Sequence, residues 1–436
     1  MALRVAVIGA GPAGLCAARY LSAEPDRYLP TVYEQTAAVG GTWVYTDRTG
    51  TDEHGLPVHS SMYKNLRTNL PKEAMVFPDF PYDSGLPSYM SHKEVLRYLE
   101  NYAENFGLHK YIQSPLLQFL TRVDIVKPVH VTPGDMKWQI TTFKVTAPES
   151  PTTEQYDAVM VCNGGRNSVP FTPAIPGTDQ FQGRTLHSHD YRVPEPYTGK
   201  NVVIMGGLAS GVDISVELAQ VAERVVISHS NPPIANIQNL PPNITQATRV
   251  ESIVGPNTVR FQDGQEFHAD DIVFCTGYRL SFPFLTPNCG LTVTKGRAYP
   301  LYKHVLNTTY PTMSFVGITS HALTFALFQL QIKFALGVLD GSISLPSKAA
   351  MDHEIDQDFR SRLEAGLPPH RAHDVFPLYV SYMTELAMVT RQPDPQGQTA
   401  MCDDSISRLY SDPQHFKHAE YKITGQETWE RVPHQS

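Results

Sequence analysis

Two stretches of this chain have the residue types and spacing needed to hold a dinucleotide. Gly9-Ala10-Gly11-Pro12-Ala13-Gly14 follows the apolar run Leu3 to Ile8, and Gly206-Gly207-Leu208-Ala209-Ser210-Gly211 follows Val202 to Met205. In such a turn the first glycine permits a tight bend and the second lets backbone approach a pyrophosphate. The third lets the next helix pack on the strand, with its N-terminus toward the phosphates. Glu34, 20 residues past Gly14 and followed by Gln35, ends the second strand, where a carboxylate accepts bonds from ribose hydroxyls. The second stretch departs from the pattern. Leu208 stands where the second glycine belongs, and its side chain is expected to push a pyrophosphate outward or to shift the turn onto Gly207. Its second strand ends in Ser228-His229-Ser230 with no acid, so a 2′-phosphate is not repelled and NADPH is preferred to NAD. A degenerate unit that binds nothing is the alternative.

Other chemistries leave less trace. No Ser/His/Asp set, paired carboxylates or metal cluster with suitable spacing stands out, which fits an enzyme whose hard chemistry belongs to a cofactor. His187 and His189 alternate on a strand-like stretch and could bind a metal, but no Cys, His or acid spacing supports one; structural histidines are the other reading. No metal is expected.

The elements that must carry these residues read as a duplicated α/β unit. The first has strand Leu3 to Ile8, helix Leu15 to Leu21, strand Pro30 to Glu34, a loop-rich segment from Gly40 to Ser91, and a helix near His92 to Phe106. Val123 to Val131 and Trp138 to Val145 read as a strand pair around Thr132-Pro133-Gly134-Asp135, and strand Ala158 to Val161 follows. The second unit repeats the order from Asn201 and closes with the strand starting at Asp271. A strand near Met313 to Gly317 and a helix from Phe325 to Leu339 lack a nucleotide turn, so the chain is expected to return there to the first domain. The expected fold is α/β, with two Rossmann-like dinucleotide-binding domains and the NADPH domain inserted into a discontinuous FAD domain. The division is 1–167 and 286–436 for FAD, 168–285 for NADPH. The last hundred residues read as polar, helical around Asp352 to Glu364 and Tyr379 to Met388.

Composition narrows the class. With 436 residues, 41% of them hydrophobic, and a formal charge of −8, the chain can bury a large core and lacks the clustered Lys and Arg that nucleic acid or anionic membrane requires. Met313 to Leu339 is too polar to span a membrane. A soluble protein is expected, cytoplasmic by default, secreted if a signal peptide was removed; a homo-oligomer is left open. The five cysteines are widely spaced, which argues against a dithiol centre or a disulfide framework.

Further motifs carry a resemblance. Phe181-Gln-Gly183-Arg-Thr-Leu-His187-Ser188-His-Asp-Tyr191 has the pattern FxGxxxHSxxY, which resembles the identifying motif of flavin-containing monooxygenases, class B flavoprotein monooxygenases. Phe274-Cys275-Thr276-Gly277-Tyr278 resembles the family's domain-linking motif. Ser61 to Lys72 with Phe77 to Pro81 resembles the segment that contributes an active-site asparagine, here Asn69, and Gln331 to Lys333 the helix start near the flavin. The likeness covers residues 3 to about 340, and within the family it is similar to the soluble arthropod alkaloid N-oxygenases. Tyr191-Arg192 stands where the related Baeyer-Villiger enzymes carry Trp-Pro, which disfavours ester formation.

The resemblance implies FAD on the first turn, with Gly41, Thr42, Trp43, Asn69 and Gln331 around it, and NADPH on the second, with His187, Ser188, Tyr191, Thr276, Gly277 and Tyr278. Trp43 is equally an ordinary core aromatic, and Asn69 a loop residue capping its own turn. NADPH reduces the flavin, O₂ is the co-substrate, and a tertiary amine, such as a pyrrolizidine alkaloid, or a sulfide attacks the C4a-hydroperoxyflavin. An NADPH oxidase, a Baeyer-Villiger enzyme and a flavin-binding protein without turnover are the competing readings. The substrate pocket is expected to draw on Asn231 to Asn243 and on C-terminal segments.

Overall fold

The computed structural model describes residues 1–108, 117–132, 135–164, 169–229, 237–319, 325–375, 378–425 and 428–432. Two parallel sheets dominate it. Leu3–Ile8 pairs in parallel with Tyr28–Tyr33 on one side and Ala158–Val161 on the other. Ala158–Val161 in turn pairs in parallel with Met313–Phe315, and Leu306–Asn307 and Leu301–Tyr302 extend that edge antiparallel, so the chain that leaves the first sheet at Val161 rejoins it at Leu301. The second sheet has the order Ile244–Ala247, Arg224–Ser228, Asn201–Met205, Asp271–Phe274, Arg184–His187, all parallel. The second unit is therefore inserted into the first. Its three central strands are near-continuous buried runs rich in Val and Ile, as a sheet covered on both faces requires.

Helix α1 (Pro12–Ser22) buries its apolar face on the first sheet, with Pro12 at its first position where a missing N–H costs nothing. Helix α2 (His92–Asn105) begins at a capping box, in which Ser91 and Glu94 each bind the other's backbone N–H. Helix α3 (Ala209–Leu218) repeats α1 in the second unit. Helix α4 (Phe325–Leu339) is apolar nearly all round because α1 and α6 (Tyr379–Thr390) cover it. Helices α5 (Lys348–Glu364) and α7 (Gln396–Ser411) and a hairpin of Glu420–Ile423 with Trp429–Val432 complete the C-terminal region.

The strand pair read at 123–145 is one strand short. Thr121–Thr132 and Asp135–Lys144 are joined by Ala147–Tyr156 in an antiparallel meander. That third strand, APESPTTEQY, is exposed at every position but Tyr156, so it has no apolar alternation to reveal it; backbone pairing and the cross-strand hydroxyl pairs Thr141–Thr153 and Thr142–Thr152 hold it at the edge. The meander covers the other face of the first sheet through Trp138, Ile140 and Tyr156.

Candidate functional site

Each long parallel strand ends, at its carboxyl edge, in a residue suited to ligand contact. In the first sheet Gly9 follows Ile8, Glu34 follows Tyr33 and Cys162 follows Val161; in the second Gly206 follows Met205, His229 follows Ser228 and Ser188 follows His187. Crevices for nucleotides open along that edge.

The first turn is fixed by contacts that only glycine allows. Gly9 has φ 107°, and a Cβ on it would stand 2.5 Å from the Cys162 carbonyl oxygen. A Cβ on Gly14 would stand 1.8 Å from the Gly9 oxygen. Gly11, the N-cap of α1, has an ordinary φ of −71°, and a Cβ on it would lie 3.6 Å from the Gly41 Cα, an ordinary contact. Gly41 lies across it, so closely that a Cβ on Gly41 would be 2.9 Å from the Gly11 Cα, and the Gly40 N–H donates to Ala10 O at 3.0 Å. Pro12 and Ala13 form the first turn of the helix. Glu34 is buried, with Oε2 accepting the Ala10 N–H at 2.8 Å and Oε1 accepting the N–H and hydroxyl of Thr36 at 2.8 and 2.9 Å. Gln35 is half-buried beside it, and Trp43 packs on the core.

A polar atom left without a partner fits a cofactor here: Thr42, next to Gly41, has a buried Oγ1 unpartnered among the described residues, whereas buried polar groups are normally paired. Asn69 Oδ1 and Thr319 Oγ1 are likewise buried and unpartnered among the described residues. Asn69 is held by its backbone, whose carbonyl accepts from Ser405 of α7 at 2.9 Å. Gln331 is fully buried and its amide is already used: Oε1 accepts the Gly317 N–H at 2.9 Å and Nε2 donates to Tyr382 at 3.0 Å. It sets the Gly317 backbone.

The second turn copies the first almost atom for atom. Gly206 has φ 118° and its Cβ would meet the Cys275 oxygen at 2.4 Å; a Cβ on Gly211 would meet the Gly206 oxygen at 1.8 Å. Leu208 is the N-cap of α3 with φ −85° and ψ −176°, against −71° and −174° for Gly11. The turn has therefore not shifted onto Gly207; Leu208 takes the place of Gly11 without strain, its side chain 40% exposed. Gly207 is buried, while Ala209 and Ser210 start the helix. Ser228 is buried and its hydroxyl both donates to Thr248 O and accepts from the Val250 N–H, so it caps its own strand end. His229 keeps a buried, unpartnered Nδ1, and Ser230 lies outside the described residues.

The motifs between the turns meet in space. His187 Nε2 lies 3.0 Å from Gly277 O, and its Nδ1 accepts the His189 N–H at 3.0 Å. Those partners fix a neutral tautomer with the proton on Nε2 and leave no lone pair for a metal. Burial lowers the His187 pKa, the bond to Gly277 acting against it. Tyr278 sets its ring against both His187 and His189. Thr276 donates its hydroxyl to Phe171 O, and Tyr278–Arg279 pairs antiparallel with Val169–Pro170, so the two connections between the units are zipped together. Ser188 is buried next to Cys275; the buried Tyr191 donates to Glu217 of α3 at 2.7 Å.

Sequence reasoning missed two residues here. Arg192 is buried and donates to five backbone carbonyls, those of Thr46, Arg48, Ser60, His189 and Tyr191, at 2.7 to 3.2 Å. His59 is held in its neutral form by burial, with Glu34 and His189 within electrostatic reach. Three of the five Arg192 acceptors, Thr46, Arg48 and Ser60, lie more than 130 positions away in sequence.

Comparison with known proteins decides the family. A family model described as flavin-binding monooxygenase-like matches residues 2–254 and 234–432. The flavin-containing monooxygenase FMO GS-OX5 of Arabidopsis thaliana is 38% identical over 401 residues, 88% of this chain and 84% of the relative. The chain belongs to the flavin-containing monooxygenase family. As a flavin-containing monooxygenase it is an oxidoreductase that works with FAD, NADPH and O₂. Among solved structures, S-allyl-L-cysteine S-oxygenase from Allium sativum superposes with a TM-score of 0.86 at 34% identity over 96% of this chain and 95% of that one. Tmm from a Pelagibacter strain gives 0.83 at 27% identity over 99% and 96%. Cyclohexanone monooxygenase, at 13% identity and 0.55, shares the fold. The relatives named here give no support to the nearer likeness to arthropod alkaloid enzymes. Among the described residues, no helix of this monooxygenase is long and apolar enough to cross a membrane.

Proposed function

We propose that this monooxygenase transfers one oxygen atom of O₂ to a soft nucleophile on a small molecule, a thioether sulfur or a tertiary amine nitrogen. The observation that carries the reading is the pair of equivalent nucleotide turns bridged where His187 meets Gly277. Likeness to the Allium sativum S-oxygenase over nearly the whole chain favours sulfur.

On this reading Gly9, Gly11, Pro12, Ala13, Gly14 and Glu34 hold the FAD dinucleotide, and Gln35, Gly41, Thr42, Trp43 and Asn69 stand toward its flavin, with Gln331 setting the Gly317 backbone. NADPH lies on Gly206 to Gly211, with His229 and the segments 187–191 and 276–278 beside it. When bound, the flavin takes electrons from NADPH and activates O₂.

The chain's own part is orientation and exclusion of water. Asn69 offers a buried amide, Thr42 and Thr319 buried hydroxyls, to the groups that arrive. Arg192 fastens 46–60 to the 188–192 turn and so closes the crevice from one side. The described part of the 231–243 loop bonds to the end of α7, Asn239 to Ser411 and Gln238 to Tyr410, which places C-terminal residues beside the second unit. The corresponding division is 1–167 with 286–436 for FAD and 168–285 for NADPH.

The test is a visible spectrum during anaerobic NADPH addition and then on admission of air, followed by product analysis with a sulfide and a tertiary amine. Bleaching by NADPH and a sulfoxide or N-oxide in step with NADPH consumed are expected. A flavin that NADPH does not reduce, H₂O₂ as the only product, or an ester from a ketone would replace this reading.

A further inference from the structure

A cavity of about 410 Å³ lies between the start of α4, the loop carrying Phe77, the start of α7 and the terminal hairpin. That volume is ample for a small organic molecule. Its walls are apolar and aromatic, with Phe77, Leu330, Met401, Ile423 and Trp429. Gln392, Gln398 and Thr428 add polar side chains to them, and two further polar atoms are buried. Gln329, only 8% exposed, has a buried Oε1 with no partner among the described residues, and so has Asp394 at Oδ1, while Asp394 Oδ2 accepts from Gln396 at 3.1 Å. Both are acceptors. No Lys, Arg or His is among the described residues that line the cavity, so the carboxylate has no internal counter-charge there.

Buried acceptors without donors are costly, and a carboxylate beside aromatic faces is matched by a cation that carries N–H groups. We infer that this cavity binds an organic ammonium ion, a protonated primary or secondary amine on an apolar body, with its N–H groups on Gln329 Oε1 and Asp394 Oδ1 and its body against Trp429 and Phe77. The site is separate from the oxygenation chemistry for two reasons. On α4, Gln329 points about 160° away from Gln331, whose amide serves the Gly317 backbone. A carboxylate also favours the protonated amine, whose nitrogen has no lone pair with which to attack an oxidant. An amine held here is therefore anchored without being oxidised at that nitrogen.

The experiment is calorimetric titration of the flavin-loaded protein at pH 7.5 with 2-phenylethylammonium chloride, and with neutral 2-phenylethanol, while tryptophan emission is followed. Saturable binding of the ammonium is expected, with the alcohol at least about tenfold weaker and Asp394→Asn about tenfold weaker for the ammonium. Gln329→Leu should weaken it severalfold. Trp429→Phe should remove the emission response while binding persists, which separates this cavity from Trp43 near the first turn. NADPH reduction of the flavin in Asp394→Asn should stay as in the parent, so a failure of the oxygenase reading is seen separately. Absence of saturable binding, equal affinity for the alcohol, or an emission change that survives Trp429→Phe would overturn the proposal. Circular dichroism of each variant checks folding, and the ammonium-to-alcohol ratio on the unmodified protein stands without any variant.

Discussion

Of the three glycines that define the first turn, only the middle one is replaced in the second, by Leu208 at the same backbone position. Gly11 and Leu208 have nearly the same φ and ψ, both ordinary for any residue. A Cβ on Gly11 would lie 3.6 Å from the Gly41 Cα, an ordinary contact, and Leu208 at the equivalent place reaches toward solvent. The middle glycine is thus not demanded by the protein's own packing in either unit. The outer glycines are demanded by packing in both units, because a Cβ would collide with backbone that cannot move without breaking the strand-to-helix join.

The most damaging change should be Gly14→Ala, which sets a Cβ against the Gly9 oxygen; the protein is expected to purify without flavin or to misfold. Gly211→Ala makes the same collision in the second unit, and there flavin absorbance should survive while reduction by NADPH is lost. If Gly211→Ala also strips the flavin, the turns do not serve separate nucleotides and the comparison collapses. Next in size, Arg192→Met removes donors from five carbonyls and should lower unfolding stability by about 3 kcal/mol in urea titration, whereas Arg192→Lys should recover part of it. An unchanged midpoint would show that the clamp ties loops that need no tie.

A smaller effect concerns pH. Burial lowers the pKa of His187, His59 and His92, so the fold prefers them neutral and the unfolded chain takes up protons first. Their contribution is fully present above the ordinary histidine pKa and is lost as pH falls below about 6.5 toward the depressed folded values. The melting temperature should fall over that window, and less steeply in His187→Asn. The smallest effect is expected for Leu208→Gly. Because the turn already has the geometry of the first, the apparent KM for NADPH should change by less than about threefold. A tenfold drop would mean that the leucine side chain, and no packing constraint, governs the second site.

What could be read in advance follows the same logic. The turns were legible because local backbone geometry restricts their residues and Glu34 by its spacing from them, while the 187–191 and 274–278 motifs were legible through the family resemblance. Helix α7 was missed although Met401, Cys402, Ser405 and Leu409 form its buried face, since the polar residues between them blur the period. Thr319 and His59 were not legible at all, and Arg192 was read only as a departure from Trp-Pro, not as a clamp. Arg192 answers to carbonyls up to 146 positions away, and no residue near it in sequence hints at that.

The zipped connections at Val169–Pro170 and Tyr278–Arg279 have a consequence for how such a chain can be rebuilt. The inserted unit leaves and re-enters its host at neighbouring points, so its two ends already stand side by side. It is a cassette with a single mouth. A short graft across that mouth would let the cassette be exchanged for another nucleotide-binding unit, or removed, without re-routing a strand of the host sheet.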